Sequence, residues 1–376
     1  MNSRKGFTLV EVIVVLAVIA ILAAIAVPLA LRIFERTAED ATREELANLK
    51  EAMIGDPQKL QSSFRSDFGF LGDMGRLPAN LDELLVRGSL PAFTFDTSKQ
   101  AGAGWKGPYI TGAAAGSAAA EFKKDQWGND YTYSDADFTN ADNQAGDGKI
   151  TSNGPNGTFG NADDIVLEFL KNETTATVRG KVKDTAGVGL EAVPVEYYSP
   201  VNGVLTTTTA TTDATGEYVF TSAPFGPRAV RALPRLVYSP GSVTTAGVGR
   251  NITFKVVNYS TSAYTVDRVQ ANYSGGATYD EVRINGVAVD PLGTFSSGTN
   301  VDVTNTVIAA SSASRPSMRV FVDSPDTQLP DTTISGQGTV AAIELNNFTQ
   351  DMRGIPITVT FNPTGGFPIS IVKFTP

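Results

Sequence analysis

A chain of 376 residues is longer than one compact domain usually is, which predicts two to four domains. Its formal net charge of −9 repels phosphate backbones, so nucleic acid is not expected as a partner. Neither Cys nor His occurs, which excludes disulfides, thiolate metal sites and the Ser-His-Asp triad, and we expect no enzymatic activity.

The first predicted element is a long apolar helix behind a short basic leader. Arg4 and Lys5 form the leader's positive charge, and no charged residue occurs from Val12 to Leu31. This stretch is long enough to cross a bilayer as a helix. A cleaved secretory signal and a plain membrane anchor are the two simpler interpretations. The helical pattern runs on into a charged amphipathic region, which argues against removal of the whole segment.

Glu11 is the informative residue of this segment, because a carboxylate near the start of a spanning helix is costly unless it finds a partner. The run KGFTLVE at 5–11 resembles the class III leader junction of type IV pilins and pseudopilins. The resemblance implies that a prepilin peptidase removes leader residues 1–6, cutting between Gly6 and Phe7, and methylates the new Phe7 amine. It also implies that Glu11 pairs with the N-terminal amine of a neighbouring subunit, so that copies polymerise through their helices.

The predicted helix covers residues 7–57, of which 7–31 form the membrane and filament core. Pro28 stands where the resembling family carries a helix-breaking proline, and this part of the helix is expected to loosen in the filament. Farther along, apolar residues recur every three or four positions and predict a stripe that packs on a globular domain: Phe34, Ala38, Ala41, Leu46, Leu49 and Met53.

Residues 58–171 form the next predicted domain. Three of its segments resemble the major, G-type pseudopilin of type II secretion: GDMGRLPANLDELL (72–85), GWKGPYI (104–110) and DQWGNDYTY (125–133). The resemblance implies a small antiparallel sheet beside the long helix. The aromatic residues of the last two segments are expected in the core beside turn glycines: Trp105, Tyr109, Trp127 and Tyr131.

An oxygen-rich loop, SNGPNGTFGNADDI at 152–165, is a candidate calcium site, because calcium takes about six to eight oxygen ligands. Repulsion between Asp163 and Asp164 favours either a cation or a solvated turn. The related pseudopilins bind calcium here, which implies Asn153, Asn156, Asp163 and Asp164 as ligands. Asn156 stands where Asp is usual in the family, so one negative charge is lost and weaker binding is expected.

The acidic stretch SDADFTNADNQAGDGK at 134–149 is an insertion relative to that family. Its spacing does not match the 12-residue EF-hand loop. A mobile loop and a second metal site remain the two interpretations.

The C-terminal half is rich in alternating apolar and polar residues, which predicts short strands. Within 172–250, the turn TTDATGEYVF (211–220) resembles the carboxypeptidase regulatory-like domain, a transthyretin-like β-sandwich that acts as a spacer or binding module. Regularly spaced strands over 251–376 predict a second β-sandwich, an immunoglobulin-like one among the candidates.

The predicted fold class is therefore α+β: a long N-terminal helix packed on a small antiparallel-sheet pseudopilin domain, followed by two all-β sandwich domains. The predicted function is that of a structural subunit of a type II secretion pseudopilus, assembled with an inner-membrane assembly platform and minor pseudopilins. The alternative is an outward-facing type IV pilus subunit whose C-terminal β-domains bind surfaces or partners. In both cases a precursor in the bacterial inner membrane becomes a periplasmic or cell-surface filament.

Overall fold

The computed structural model describes residues 9–110, 121–134, 148–233, 236–260, 262–291, 293–311, 317–334, 338–364 and 369–376. The predicted cleavage residues Gly6 and Phe7 lie outside the described residues, as does the acidic loop between 135 and 147. The chain divides into two compact units. Unit 1 comprises 1–56, 77–88 and 107–171, and unit 2 comprises 57–76, 89–106 and 172–376.

The long N-terminal helix is confirmed as α1, Leu9–Ile54. Gly55 follows with φ +81° and donates its N–H to the Glu51 carbonyl at 2.7 Å, the left-handed conformation that commonly ends a helix. Leu46 and Met53 of the predicted stripe are buried, but Phe34 is 71% exposed. The stripe is wrong at Phe34, because burial on the rest of unit 1 begins farther along the helix, where Thr42 is fully buried.

The remainder of unit 1 is a small antiparallel sheet that contacts α1. Its strands are β5 (Thr132–Ser134), β6 (Gly148–Ser152) and β7 (Ile165–Phe169), in that order across the sheet. A 3-10 helix spans Leu81–Leu84. Lys50 of α1 lies 5.7 Å from the centre of the Phe169 ring and donates to the Glu168 carbonyl at 3.2 Å. The outer half of α1 is therefore held against β7. The link to the next strand contains a one-turn helix, Lys171–Thr174.

The first sandwich of unit 2 has two facing sheets. One has the order β10-β9-β12-β22, and in the other β8 lies between β11 and the parallel strands β23 and β24. Buried Tyr197 of the first sheet stacks on Phe220 of the second, with ring centres 5.0 Å apart. The strands are β8 (Thr175–Lys183), β9 (Pro194–Val201), β10 (Val204–Thr211), β11 (Glu217–Pro224), β12 (Gly226–Ala232), β22 (Met318–Val322), β23 (Asp326–Gln328) and β24 (Thr332–Thr333).

The second sandwich also has two facing sheets. In one sheet the strand order is β13-β15-β25-β18-β19, and β14 also pairs with β15. In the other sheet the strand order is β21-β16-β26-β27. Phe254 and Phe374, from opposite sheets, pack with ring centres 4.5 Å apart in a continuous apolar core. The strands are β13 (Leu236–Tyr238), β14 (Thr244–Ala246), β15 (Asn251–Asn258), β16 (Tyr264–Tyr273), β18 (Glu281–Ile284), β19 (Val287–Ala288), β21 (Asn300–Ile308), β25 (Thr339–Asn346), β26 (Ile357–Pro363) and β27 (Ser370–Phe374).

Short elements complete unit 2. They are β1 (Leu60–Gln61) paired with β2 (Phe64–Arg65), helix α2 (Gly69–Met74), β3 (Thr94–Asp96) paired with β4 (Ala101–Ala103), and β17 (Thr278–Tyr279) paired with β20 (Phe295–Ser296). Strand β4 packs on the first sandwich, where Ala101 is buried against Tyr198 and Ala229.

A change of unit also falls at the predicted boundary 171/172, whereas the predicted boundary 250/251 lies inside unit 2, and both domain boundaries remain predictions. Segments 58–76 and 89–106, which the sequence analysis places within one pseudopilin-like domain, fall in unit 2. Strands β13 and β14 precede residue 250 but pair with β15, whereas β22 to β24 follow it and pair with strands of the first sandwich. Alternation identifies the buried face of a strand but not its partner.

A fully buried arginine holds α2 to the first sandwich within unit 2. Arg228 Nη1 donates to the Gly72 carbonyl at 2.7 Å, and Nη2 donates to the Phe225 carbonyl at 2.6 Å. Longer bonds reach the carbonyls of Pro224 and Pro227. Burial lowers the pKa of Arg228, since removal from water disfavours its charge. Hydrogen bonds to these four carbonyl oxygens offset the cost of burying the charge.

Candidate functional sites

The first half of α1 exposes its apolar surface. Large apolar side chains from Leu9 to Leu31 are 46 to 77% exposed. By length and composition α1 is able to cross a membrane. Glu11 is exposed within this half, and the helix continues unbroken through Pro28. Such a surface needs lipid or other helices to cover it.

The outer half of α1 is hydrogen-bonded to the turn at 125–131, part of the DQWGNDYTY segment. The Gln126 N–H donates to buried Thr42 Oγ1 at 3.3 Å, and Tyr131 Oη donates to Glu45 Oε2 at 3.0 Å. Burial, with the Glu45 charge beside it, raises the pKa of Tyr131, so the phenol stays protonated as the donor. Of the four aromatic residues predicted in the core, Tyr131 is buried, and Trp105, Tyr109 and Trp127 are half-buried.

The same turn holds the oxygen-rich loop through a buried carboxylate. Asp125 Oδ1 accepts from the N–H groups of Trp127 at 3.1 Å and Asn129 at 2.9 Å, which closes the turn. Asp125 Oδ2 accepts from Ser152 Oγ at 2.7 Å, and Asn129 Nδ2 donates to the Gly154 carbonyl at 2.9 Å. The turn thus connects α1 with the first residues of the loop.

The loop closes on itself around Asp163. Asn156 Nδ2 donates to Asp163 Oδ1 at 2.8 Å. Gly154 has φ +62°, and a Cβ built there would lie 2.4 Å from the Asp163 carbonyl oxygen, so only glycine permits this approach. Asp164 Oδ2 accepts from the Gly160 N–H at 2.7 Å. The structure therefore brings Asn156 and Asp163 into contact and ties Asp164 to Gly160, four residues earlier in the loop.

Three side-chain oxygens at this loop are buried without a hydrogen-bond partner among the described residues: Thr151 Oγ1, Asn153 Oδ1 and Asp164 Oδ1. Unpartnered buried oxygens are costly, and a hard cation would satisfy them. No group of three or more His, Cys, Asp and Glu side chains in the described ranges is placed to hold a metal. A cation here would therefore need amide, hydroxyl and backbone oxygens in addition to Asp163 and Asp164, a donor set that suits calcium.

Sequence reasoning missed the supporting residues Asp125, Asn129 and Ser152. The signal for Asp125 and Asn129 is local. Asp125 stands two residues before Trp127 and four before Asn129, a spacing that fits a turn in which the carboxylate accepts from the following N–H groups. The bond from Ser152 to Asp125 joins strand β6 to that turn and has no signature in the sequence.

A comparison with known families matches the N-terminal segment of the chain. The family described as "Prokaryotic N-terminal methylation motif" matches residues 1–27, the leader and the apolar start of α1. Among curated proteins, none matches the chain significantly. The matched motif is that of type IV pilin-like subunits, which are membrane-anchored precursors of filaments, and it supports a structural, non-enzymatic role.

Several solved structures share a weak likeness with about half of the chain. The full-length major pilin SpaD from Corynebacterium diphtheriae is 10% identical with a TM-score of 0.22 over 54% of this chain, which spans only 65% of that pilin. A putative carbohydrate binding protein from Bacteroides uniformis is 11% identical with a TM-score of 0.22, covering 54% of this chain and 99% of that one. The T6 backbone pilin of Streptococcus pyogenes is 13% identical with a TM-score of 0.18, covering 50% and 43%.

Proposed function

We propose that this filament subunit builds a type II secretion pseudopilus. The observation that carries assembly into a filament is the contrast between the two halves of α1 behind a methylation motif. The first half exposes apolar side chains, whereas Leu46 and Leu49 in the outer half are 1% and 3% exposed against unit 1. A helix of this kind leaves an apolar half for lipid before assembly and for neighbouring helices afterwards. The choice of a pseudopilus rests on the resemblance of segments 72–85, 104–110 and 125–133 to the major pseudopilin of type II secretion.

Processing and assembly follow from the same segment. Prepilin peptidase cuts between Gly6 and Phe7 and methylates Phe7. Glu11 then pairs with the amine of a neighbouring subunit, because two charges in an apolar core are tolerable only together. Pro28 lets the helix loosen in the filament. The inner-membrane assembly platform extracts the subunits, and minor pseudopilins join them.

Calcium at the 152–164 loop is a further part of the proposal. Asn153, Asn156, Asp163 and Asp164 would hold the ion, a proposal supported by the buried oxygens that lack partners within the described part of the chain. With no disulfide available, a cation would fasten this glycine-rich loop to the turn that holds α1.

A surface pilus is the second candidate function. It is favoured by the size of unit 2, whose two sandwiches add far more surface than a subunit needs for assembly through its helix. On an external filament these domains would bind surfaces or partners.

Immunogold electron microscopy with an antibody against unit 2 separates the two functions. A pseudopilus predicts filaments labelled only after the outer membrane is permeabilised. Labelled filaments on intact cells would replace that proposal with the surface pilus. Loss of labelled filaments in a Glu11→Ala strain controls for antibody specificity.

A further inference from the structure

Four asparagines of the chain directly precede a glycine: Asn153, Asn156, Asn202 and Asn285. Such a pair is chemically labile, because glycine has no side chain to hinder its backbone nitrogen from attacking the preceding side-chain amide. The surroundings of each asparagine determine whether the reaction is assisted or suppressed.

The amide of Asn156 is held by partners on both sides. Its Oδ1 accepts from the Thr158 N–H at 2.7 Å and from Asn161 Nδ2 at 3.2 Å, and its Nδ2 donates to Asp163 Oδ1 at 2.8 Å. Attack on Cγ places negative charge on Oδ1, where two donors already point. The side chain is also exposed, so water reaches the product ring.

The other asparagines lack this arrangement. Asn153 Oδ1 is buried without a partner among the described residues. The Gly203 N–H, the attacking group next to Asn202, donates to the Met74 carbonyl at 2.9 Å. Asn285 Oδ1 accepts a single bond, from the Ala342 N–H at 2.9 Å. By contrast, the Gly157 N–H next to Asn156 makes a longer bond, 3.2 Å, to the Gly154 carbonyl.

We propose that Asn156 is a self-modification site, which the folded loop converts to an aspartyl residue. The Gly157 nitrogen forms a bond to Asn156 Cγ while the Cγ–Nδ2 bond breaks. The proton of the Gly157 N–H leaves with the amide nitrogen as ammonia, and a five-membered imide ring remains. Water then opens the ring at either carbonyl and gives aspartate or isoaspartate, without oxidant, reductant or enzyme.

The conversion would place a third carboxylate at the loop beside Asp163 and Asp164. Its effect on cation affinity rests on the calcium site proposed above, whereas the conversion itself does not. A freshly made subunit would bind calcium weakly, and an aged subunit whose residue 156 has become aspartate would bind it more tightly.

Peptide-mapping mass spectrometry of the full-length chain in detergent, sampled during incubation at mildly alkaline pH, tests the conversion. Fragment ions should place the deamidation mass on Asn156 well before it appears on Asn153, Asn202 or Asn285. Asn161→Ala removes one donor to Oδ1. One such hydrogen bond contributes about 1 kcal/mol, so the conversion at Asn156 should slow about fivefold. Unfolding of the variant would instead accelerate Asn202 and Asn285 as well.

Equal conversion at the exposed asparagines, or none at Asn156, would overturn the proposal. The same would follow if Asn161→Ala left the rate at Asn156 unchanged in a folded chain. Calcium titration of fresh and aged protein then tests the consequence. If Asn156 converts but the calcium affinity does not rise, the modification stands and the proposed calcium site fails.

Discussion

Replacing Arg228 with methionine should destabilise unit 2 far more than replacing Arg231, three positions farther along β12. The carbonyls of Gly72 and Phe225 each lose a charged donor at 2.7 and 2.6 Å in a fully buried place. A hydrogen bond to a charged group contributes about 1.5 to 3 kcal/mol, so the expected loss is about 3 to 6 kcal/mol. Methionine fills much of the vacated volume, which keeps a cavity from dominating the result.

Arg231 is the matched control. It pairs with Glu196 at 2.7 Å, with side chains 27% and 21% exposed. An ion pair near solvent contributes about 1 kcal/mol or less, so Arg231→Met should cost correspondingly little.

The chain offers its own reporter for this comparison. Of its two tryptophans, Trp105 lies in unit 2 and Trp127 in unit 1. In a Trp127→Phe background, tryptophan fluorescence during urea denaturation of the detergent-solubilised chain follows unit 2 alone. If Arg228→Met and Arg231→Met shift the urea midpoint equally, the hydrogen bonds from Arg228 to the surrounding carbonyls do not stabilise unit 2 as proposed.

Two further predictions concern the proposed sites. Glu11→Ala should leave a folded, membrane-inserted subunit that assembles poorly, because the neighbouring amine loses its partner. Filament yield by electron microscopy should fall relative to the Glu35→Ala control. An equal yield would show that Glu11 lies at the membrane interface without a role in assembly. Calcium at a hundredfold excess over its dissociation constant should stabilise the chain by about 2.7 kcal/mol. Chelator should therefore lower the melting temperature of wild-type chain and of an Asp213→Ala control, but not of Asp163→Ala or Asp164→Ala. Asn156→Asp should enlarge the calcium effect, and identical melting of wild-type chain with calcium and chelator would contradict the site.

Local signals in the sequence predicted the helix. The long uncharged stretch corresponds to the first half of α1, and the predicted end at residue 57 lies three residues beyond Ile54, where α1 ends. The same signals could not show where packing on unit 1 begins. Phe34 has the right spacing for the apolar stripe, yet it lies on the exposed side of that limit.

The sequence alone could not predict which distant strands pair with each other. Strand β8 pairs in parallel with β23 and β24 across more than a hundred intervening residues, and alternation carries no information about such partners. Arg228 illustrates the same limit for single residues. An arginine in a strand is expected at the surface, and its burial depends on carbonyls contributed by α2 and by the residues around β12.

The candidate loop was found from composition, since Gly, Asn and Asp cluster at 152–164. The hydrogen bonds that hold the loop in place could not be found from composition, because the carboxylate of Asp125 reaches Ser152 only when the turn and strand β6 have folded together. Asn153 Oδ1 and Asp164 Oδ1, which have no hydrogen-bond partner in the ranges that the structure describes, likewise become apparent only from their burial.

Mass spectrometry of the N-terminus of the mature chain, purified from its native membranes, tests the central claim most directly. Processing by a prepilin peptidase predicts a chain that begins at N-methylated Phe7, with residues 1–6 removed. A mature chain that begins at Met1, or well beyond Glu11, would contradict both the assignment to a type IV pilin-like filament and the assembly role of Glu11.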